Sequence, residues 1–303
     1  MPKSIRASEV FDDKTFPLAF RRVDNHQDTS VHSHEFYELV VILAGHGRHI
    51  TDREEYPIEA GDVFLLRGDM AHGYAGMARM ALVNILFDPG RLGLPRGYLQ
   101  DVPGYHALFH VEPQLRVQDR FRNRLHLAEE ELTEAAGMIV RLQQELEHKR
   151  PGYRFQACAD LMVLIGFLSR CYSHVNRHSD RSFLRVGEVL SYIEQHYREP
   201  LTIGQLTRVA HMSESTLLRT FRRVLGRTPM EHVIRQRILR ATELLKGDAR
   251  ITEAAYECGF GDSNYFSRQF RQVMGVSPRQ FREGRRPAAR PAHSRKRSRR
   301  GGR

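Results

Sequence analysis

One eleven-residue segment occurs twice near the C-terminal end of this 303-residue chain. Arg219-Thr-Phe-Arg-Arg-Val-Leu-Gly-Arg-Thr-Pro229 returns 49 residues later as Arg268-Gln-Phe-Arg-Gln-Val-Met-Gly-Val-Ser-Pro278. Arginine, phenylalanine, arginine, valine, glycine and proline stay in register. A glycine that ends a helix and a proline that cannot continue one do not fall in register by chance, so the region is built from two copies of one unit.

Each copy reads as a helix–turn–helix. In the first, a short helix begins near Thr202 and buries Leu206 and Val209, and His211-Met212 makes the turn. Ser213 then caps a second helix that buries Leu217, Phe221 and Val224 and stops at Gly226. In the second, Ile251–Cys258 is the scaffold helix, Gly259-Phe-Gly261 the turn and Asp262 the cap. Phe266, Phe270 and Val273 are the expected buried residues, and Gly275 is the stop. Between them Met230–Lys246 carries Val233, Ile234, Ile238, Ala241 and Leu245 on one stripe. A helix of that length spans roughly 25 Å, enough for both second helices to reach successive major grooves.

Charge is unevenly placed. Residues 285–303 hold nine Lys/Arg and no acid, and residues 199–284 hold 14 Lys/Arg against nine Asp/Glu. Residues 1–198 are slightly acidic, so a basic module is joined to a nearly neutral one, as expected for a partner of polyanions. The outward faces carry Ser215, Leu218, Arg219, Ser263, Asn264, Ser267 and Arg268, of which Arg219, Asn264 and Arg268 have the side chains to read base edges. Arg222, Arg223 and Arg271 are placed for phosphates.

The segment Ile251–Arg282 resembles the signature of AraC-type bacterial transcription regulators. It does so through Ile251-Thr252, Ala255, Gly259-Phe260, Tyr265-Phe266-Ser267, Phe270-Arg271, Gly275, Ser277-Pro278 and Phe281-Arg282. The resemblance spans about Phe183 to Arg282. It implies two helix–turn–helix units on direct-repeat half-sites of double-stranded DNA, usually in an activator. It also implies base contacts at Ser215, Leu218, Arg219, Ser263, Asn264, Ser267 and Arg268. Leu218 departs from the polar residue usual there, leaving a methyl contact to thymine. Asp262 is where activating relatives touch the polymerase sigma factor.

Residues 16–112 hold short apolar runs broken by turns, which reads as a β-barrel or sandwich. His32-Ser-His34-Glu-Phe-Tyr-Glu38, taken as one strand, turns residues 32, 34, 36 and 38 to one face, and His72 follows downstream. His32, His34, Glu38 and His72 make a set suited to a divalent metal. They suit equally the polar lining of a site for a small hydroxylated effector, or satisfied barrel histidines.

These segments resemble the two cupin motifs, departing at Arg67, Asp69 and His26. The fold expected is therefore α+β multidomain, a cupin-like barrel with a helical hairpin, then an all-α domain of two helix–turn–helix units. The overall pattern is similar to the L-rhamnose-responsive regulators, which implies a sugar or related metabolite as effector. The other reading is a metal-dependent cupin enzyme, a dioxygenase or isomerase, with a C-terminal interaction module.

The expected divisions are 1–112, the effector-sensing barrel with an N-terminal arm; 113–175, a dimerising hairpin with helices over about Leu115–Lys149 and Tyr153–Tyr172; and 176–182, a linker. Residues 183–283 form the DNA-binding domain and 284–303 a disordered basic tail. The longest apolar run, Leu161–Leu168, is eight residues, whereas a membrane span needs about 20. Three scattered cysteines make no disulfide framework. The chain reads as a cytoplasmic homodimer with no membrane segment.

Removing residues 285–303 is expected to flatten the salt dependence of DNA affinity and leave site preference intact. Anisotropy titrations over a salt series check this, and loss of site preference would contradict the role given to the tail.

Overall fold

The computed structural model describes residues 3–51, 54–68, 70–94, 96–116, 124–174 and 181–284. The expected tail, Asp69 and most of the expected linker lie outside them. By contacts the chain divides into Met1–Gln195 with Thr202–Pro229, and His196–Leu201 with Met230–Arg303.

The first unit opens with β1 (Lys3–Ile5), α1 (Ala7–Val10), β2 (Leu18–Val23), β3 (Thr29–His34) and β4 (Tyr37–Thr51). Then come β5 (Glu55–Glu59), β6 (Asp62–Leu66) and β7 (His72–Phe87). Together with β8 (Leu125–His126) they make one eight-stranded sheet of path β1-β3-β7-β4-β6-β8, with β2 on β7 and β5 on β4. The arm is part of the sheet, because β1 pairs in parallel with β3. The continuous strand expected over residues 32–38 is broken by a bend at Glu35-Phe36 between β3 and β4.

Alternation along β4 and β7 separates two cores. Val40 and Ile42 join Phe64, Leu66, Tyr74, Met80 and Leu82 inside the barrel. Leu39, Val41, Val63, Leu65, Val83 and Ile85 face the other way and share a core with Leu142, Leu161, Leu164 and Leu168. Those last residues belong to α4 (Glu129–His148) and α5 (Tyr153–His174), so the hairpin is docked on the barrel wall. The 22-residue α5 is apolar enough by length and composition to cross a membrane, with a mean hydropathy of 1.2, but 61% of that stretch is buried in the fold.

Before the hairpin lie a 3-10 turn at Arg96–Leu99, α2 (Pro103–His106), a π-helical turn at Ala107–Val111 and α3 (Glu112–Arg116). The helix expected from Leu115 to Lys149 therefore begins only at Glu129. The reason is local. Buried Asp62 forms an ion pair with Arg124, Nε to carboxylate 2.5 Å, and meets His126 Nδ1 at 2.9 Å, holding residues 124–126 extended along β6. Glu131 then accepts the Ala128 amide at 2.8 Å and starts α4.

Next in order come α6 (Arg181–His196), α7 (Ile203–Ala210), α8 (Glu214–Leu225) and α9 (Pro229–Lys246). They are followed by α10 (Ile251–Glu257), α11 (Ser263–Met274) and α12 (Pro278–Arg282). Helix α6 includes Arg181 and Ser182, which were expected in the linker. It lies close against α2, since a Cβ on Gly187 would stand 2.4 Å from the Pro103 carbonyl oxygen. Arg185 donates to the His211 carbonyl at 3.3 Å, tying α6 to the turn between α7 and α8.

In the second unit α9, α10 and α11 enclose Ile238, Ala241, Leu245, Cys258, Phe260, Phe266 and Phe270. Arg237 ties the entering segment to α9, donating to the carbonyls of Tyr197 at 2.6 Å and Glu199 at 2.7 Å. Gly259 needs its missing side chain. Its φ is +83°, and a Cβ would meet the Arg198 carbonyl at 2.6 Å.

His106 is buried, with Nε2 on the Gln100 carbonyl at 2.8 Å, and burial pulls its pKa down to about 4. The folded chain keeps this ring neutral. Its contribution is therefore full above the unfolded pKa of about 6.5 and is lost as pH falls from there toward 4, on the order of 3 kcal/mol. Urea unfolding across that range is expected to show a loss of stability that His106→Gln lacks. Equal slopes in both proteins would refute it.

Candidate functional site: a buried histidine–glutamate trio and two capped outward-facing helices

His34 and Glu38 flank the bend between β3 and β4, and His72 opens β7. Ligand atoms of these three buried residues lie within 4.8 Å of one another. His34 Nε2 is 2.9 Å and His72 Nε2 3.6 Å from Glu38 Oε2. The far nitrogens are committed: His34 Nδ1 meets the Phe36 carbonyl at 2.8 Å and His72 Nδ1 the Met70 carbonyl at 3.1 Å. A carbonyl only accepts, so each Nδ1 carries hydrogen and each Nε2 faces the carboxylate.

Burial alone would raise the Glu38 pKa. The imidazoles of His34 and His72 turned on the carboxylate outweigh it and hold the carboxyl well below its usual range. Two Nε2 atoms turned on one carboxylate are satisfied by protons or by a cation, and the donor set of two imidazoles and one carboxylate fits a first-row divalent ion.

The fourth expected member, His32, is outside this group. It is half-buried, its Nδ1 engages the Ser30 carbonyl at 3.1 Å and its ring lies 4.4 Å from that of His72. Its pKa is lowered by burial and then by the neighbouring charge of His72.

Sequence reasoning missed His49, which is wholly buried, stacked 5.8 Å from His72 and set edge-on to Tyr74 at 5.4 Å. Alternation from Glu38 places residue 49 on the opposite face. Register shifts between Ile42 and Arg48, with Gly45 at φ +82°, offset β4 by one residue against β7 and turn His49 inward opposite Tyr74. The glycine-flanked Ala44–Gly47 stretch is the only sequence signal for that bulge.

Beside the trio opens a cleft of about 690 Å³ lined by Ser4, Ser33, His34, Glu35, Tyr37, Arg67, Gly68, Met70, Pro113 and Gln114. Arg67, where the resemblance expected proline, holds its guanidinium 5.4 Å from the Tyr37 ring centre. Hydroxyls, a carboxylate, an amide and a guanidinium around one cleft suit a polar, hydroxylated molecule. Helix α3 supplies Pro113 and Gln114 to this wall and also packs against α8.

Both outward-facing helices start and stop as their caps dictate. Ser213 accepts from the Thr216 amide and Asp262 from that of Tyr265, and Gly226 and Gly275 end the helices in left-handed conformation. Ser215, Arg219, Arg222 and Arg223 are exposed on α8, as are Asn264, Arg268 and Arg271 on α11. Leu218, Ser263 and Ser267 are half-buried, and the Ser267 hydroxyl donates to the Ser263 carbonyl at 2.9 Å. Val209 and Val273, expected in the cores, are half-buried, while Val276 is buried just past the Gly275 stop.

Residues 17–159 match the family described as AraC-like ligand binding domain, and residues 206–284 a helix-turn-helix domain family. Over 255 residues the chain is 28% identical to the HTH-type transcriptional activator RhaS of an Enterobacter species, covering 84% of this chain and 87% of that protein. RhaS of Escherichia coli is 28% identical over 261 residues, covering 85% and 89%. A probable AraC family transcriptional regulator from Rhodopseudomonas palustris, of known structure, is 32% identical, with 34% of this chain, 98% of that one and a TM-score of 0.31.

Glu38→Gln removes the charge that both imidazoles face. Divalent-ion binding by the purified protein, read by calorimetry with Zn²⁺ and Ni²⁺, is expected in the parent and lost in the variant. Undiminished binding in the variant would remove the trio as the ligand set.

Proposed function

The chain belongs to the AraC family of transcription regulators, and from that premise we propose that it is an activator that couples a small molecule in the sensor cleft to sequence-specific binding of double-stranded DNA. The observation carrying this reading is the pair of matched, capped helices, α8 and α11, each exposing a polar row. Arg219 and Ser215 on α8, and Asn264 and Arg268 on α11, are assigned to base edges, joined by Leu218, Ser263 and Ser267 at closer range to the helix packing. Arg222, Arg223 and Arg271 are assigned to phosphates. Asp262 already caps α11, so a sigma-factor contact there would use its remaining acceptor.

The effector we assign to the cleft is a sugar or related hydroxylated metabolite, with Arg67 and Glu35 among its polar contacts. His34, Glu38 and His72 would hold a divalent ion next to it, with His32 as a neighbour rather than a ligand; such an ion would supply a Lewis acid for a hydroxyl. Nothing in this role requires turnover, and the protein acts here as a regulator in the cytoplasm rather than an enzyme.

Helix α3 forms part of the cleft wall and lies against α8. A ligand that binds one position of α3 more tightly than another therefore shifts the population competent for DNA. The domain plan 1–112, 113–175 and 183–283 follows these roles. Phe155, Val163 and Val140 stand exposed on the hairpin and supply an apolar face for pairing two copies.

A promoter fragment retained in preference to scrambled DNA supports the reading. Chelator-sensitive turnover with no DNA preference would support a cupin enzyme instead. Within a bound site, Arg268→Ala or Asn264→Ala is expected to cost about 1–3 kcal/mol at particular base positions, with folding unchanged. Competition with single-base operator variants measures it, and uniform weakening on all sequences would overturn the assignment.

A further inference from the structure

A second, separate chamber lies between the barrel wall and α5. It measures about 100 Å³ and is walled by apolar and aromatic side chains, among them Tyr37, Phe87, Leu94, Phe109, Met162 and Ile165. Phe87, Leu94, Phe109 and Ile165 are buried, so the walls are fixed by the shared core of sheet and hairpin. The proposed activity makes no use of this space. An apolar cavity in a folded core lacks partners for water, and one of roughly 150 Å³ takes up benzene.

We infer that this chamber is a ligand site for a small flat aromatic molecule, one ring or a fused pair of indole size, distinct from the polar cleft. Four observations lead to the flat ring. The lining is dominated by aromatic faces, with Tyr105 and Phe109 stacked at 4.9 Å and Tyr37 5.8 Å from Phe87. The volume suits one ring, with room for a second fused ring only toward the open mouth at Tyr98, and excludes a long chain or a larger polycycle. The backbone at the chamber is a π-helical turn, Ala107–Val111, which sets Phe109 and His110 in its wall. Such turns are rare and gather at functional sites. At the mouth, Tyr98 is 83% exposed, an aromatic side chain held in solvent beside an apolar opening.

Tyr37 belongs to both spaces. On one side its ring lies by Phe87 in the chamber, and on the other the Arg67 guanidinium stands over it at the cleft. A ring seated in the chamber presses on the residue that positions Arg67. The two ligands are therefore linked in affinity, and the linkage is reciprocal. Binding in the chamber itself stands independently of what the cleft holds.

The chain contains no tryptophan, so indole is a direct fluorescent probe when excited beyond tyrosine absorption. Titrating full-length protein into indole is expected to give a saturable blue shift. Met162→Phe, which fills the chamber with a half-buried and flexible position as its base, is expected to weaken binding about tenfold or more, equivalent to about 1.4 kcal/mol. Tyr98→Ala, at the exposed mouth, leaves the core intact and is expected to weaken binding severalfold, keeping the test valid even if Met162→Phe fails to fold. Glu38→Gln is expected to bind indole as the parent does. Absence of a saturable shift would overturn the inference. So would equal affinity in the parent and both chamber variants, or loss of binding in Glu38→Gln alone, which would put the ring in the barrel. None of these outcomes depends on whether the protein binds DNA.

Discussion

The sensor is organised by the two-residue alternation of β4 and β7, regular over Tyr37–Ile42 and Leu82–Phe87. One row of each strand faces the barrel interior and the other supports α4 and α5. The same row that carries Val40 and Ile42 inward begins with Glu38, so the carboxylate enters the barrel because its strand neighbours are core. A buried charge is tolerated there only with partners, and two imidazoles supply them, His34 from the end of β3 and His72 from the start of β7. Fold and site thus rest on one pattern: the apolar row fixes the register, and the register fixes which polar groups meet.

The C-terminal helices were the most legible part of the sequence, because their signals are local. Thr202, Ser213, Asp262 and Ser277 each accept from an amide three residues on, and Gly226 and Gly275 take the left-handed conformation. Boundaries that depend on distant partners were less legible. The stretch before α4 has helical periodicity, yet residues 124–126 are extended because Asp62, more than sixty residues earlier, holds Arg124 and His126. The trio His34–Glu38–His72 could be read from spacing. His32 could not be separated from it, since its engagement with the Ser30 carbonyl goes with an irregularity of register inside β3.

The aromatic chamber had no sequence signature at all. Its walls come from β4, β7, a 3-10 turn, α2, a π-helical turn and α5, and only the docking of the hairpin on the sheet assembles them. The cleft is similar, since Ser4 and Gln114 reach it from opposite ends of the first 114 residues. Both spaces are products of tertiary packing, whereas the capped helices are products of their own short segments.

The net one-residue offset between Ile42 and Arg48 decides which side chains the far half of β4 turns inward. It works as a frame shift in the strand: residues before it keep one set pointing inward, and residues after it present the other. Deleting a single position there would carry His49 out of the lumen and bring its neighbours in, while leaving Glu38 and both of its imidazole partners in place. Which side chains line the far half of the barrel can therefore be rewritten by length alone, with no exchange of side chains around Glu38.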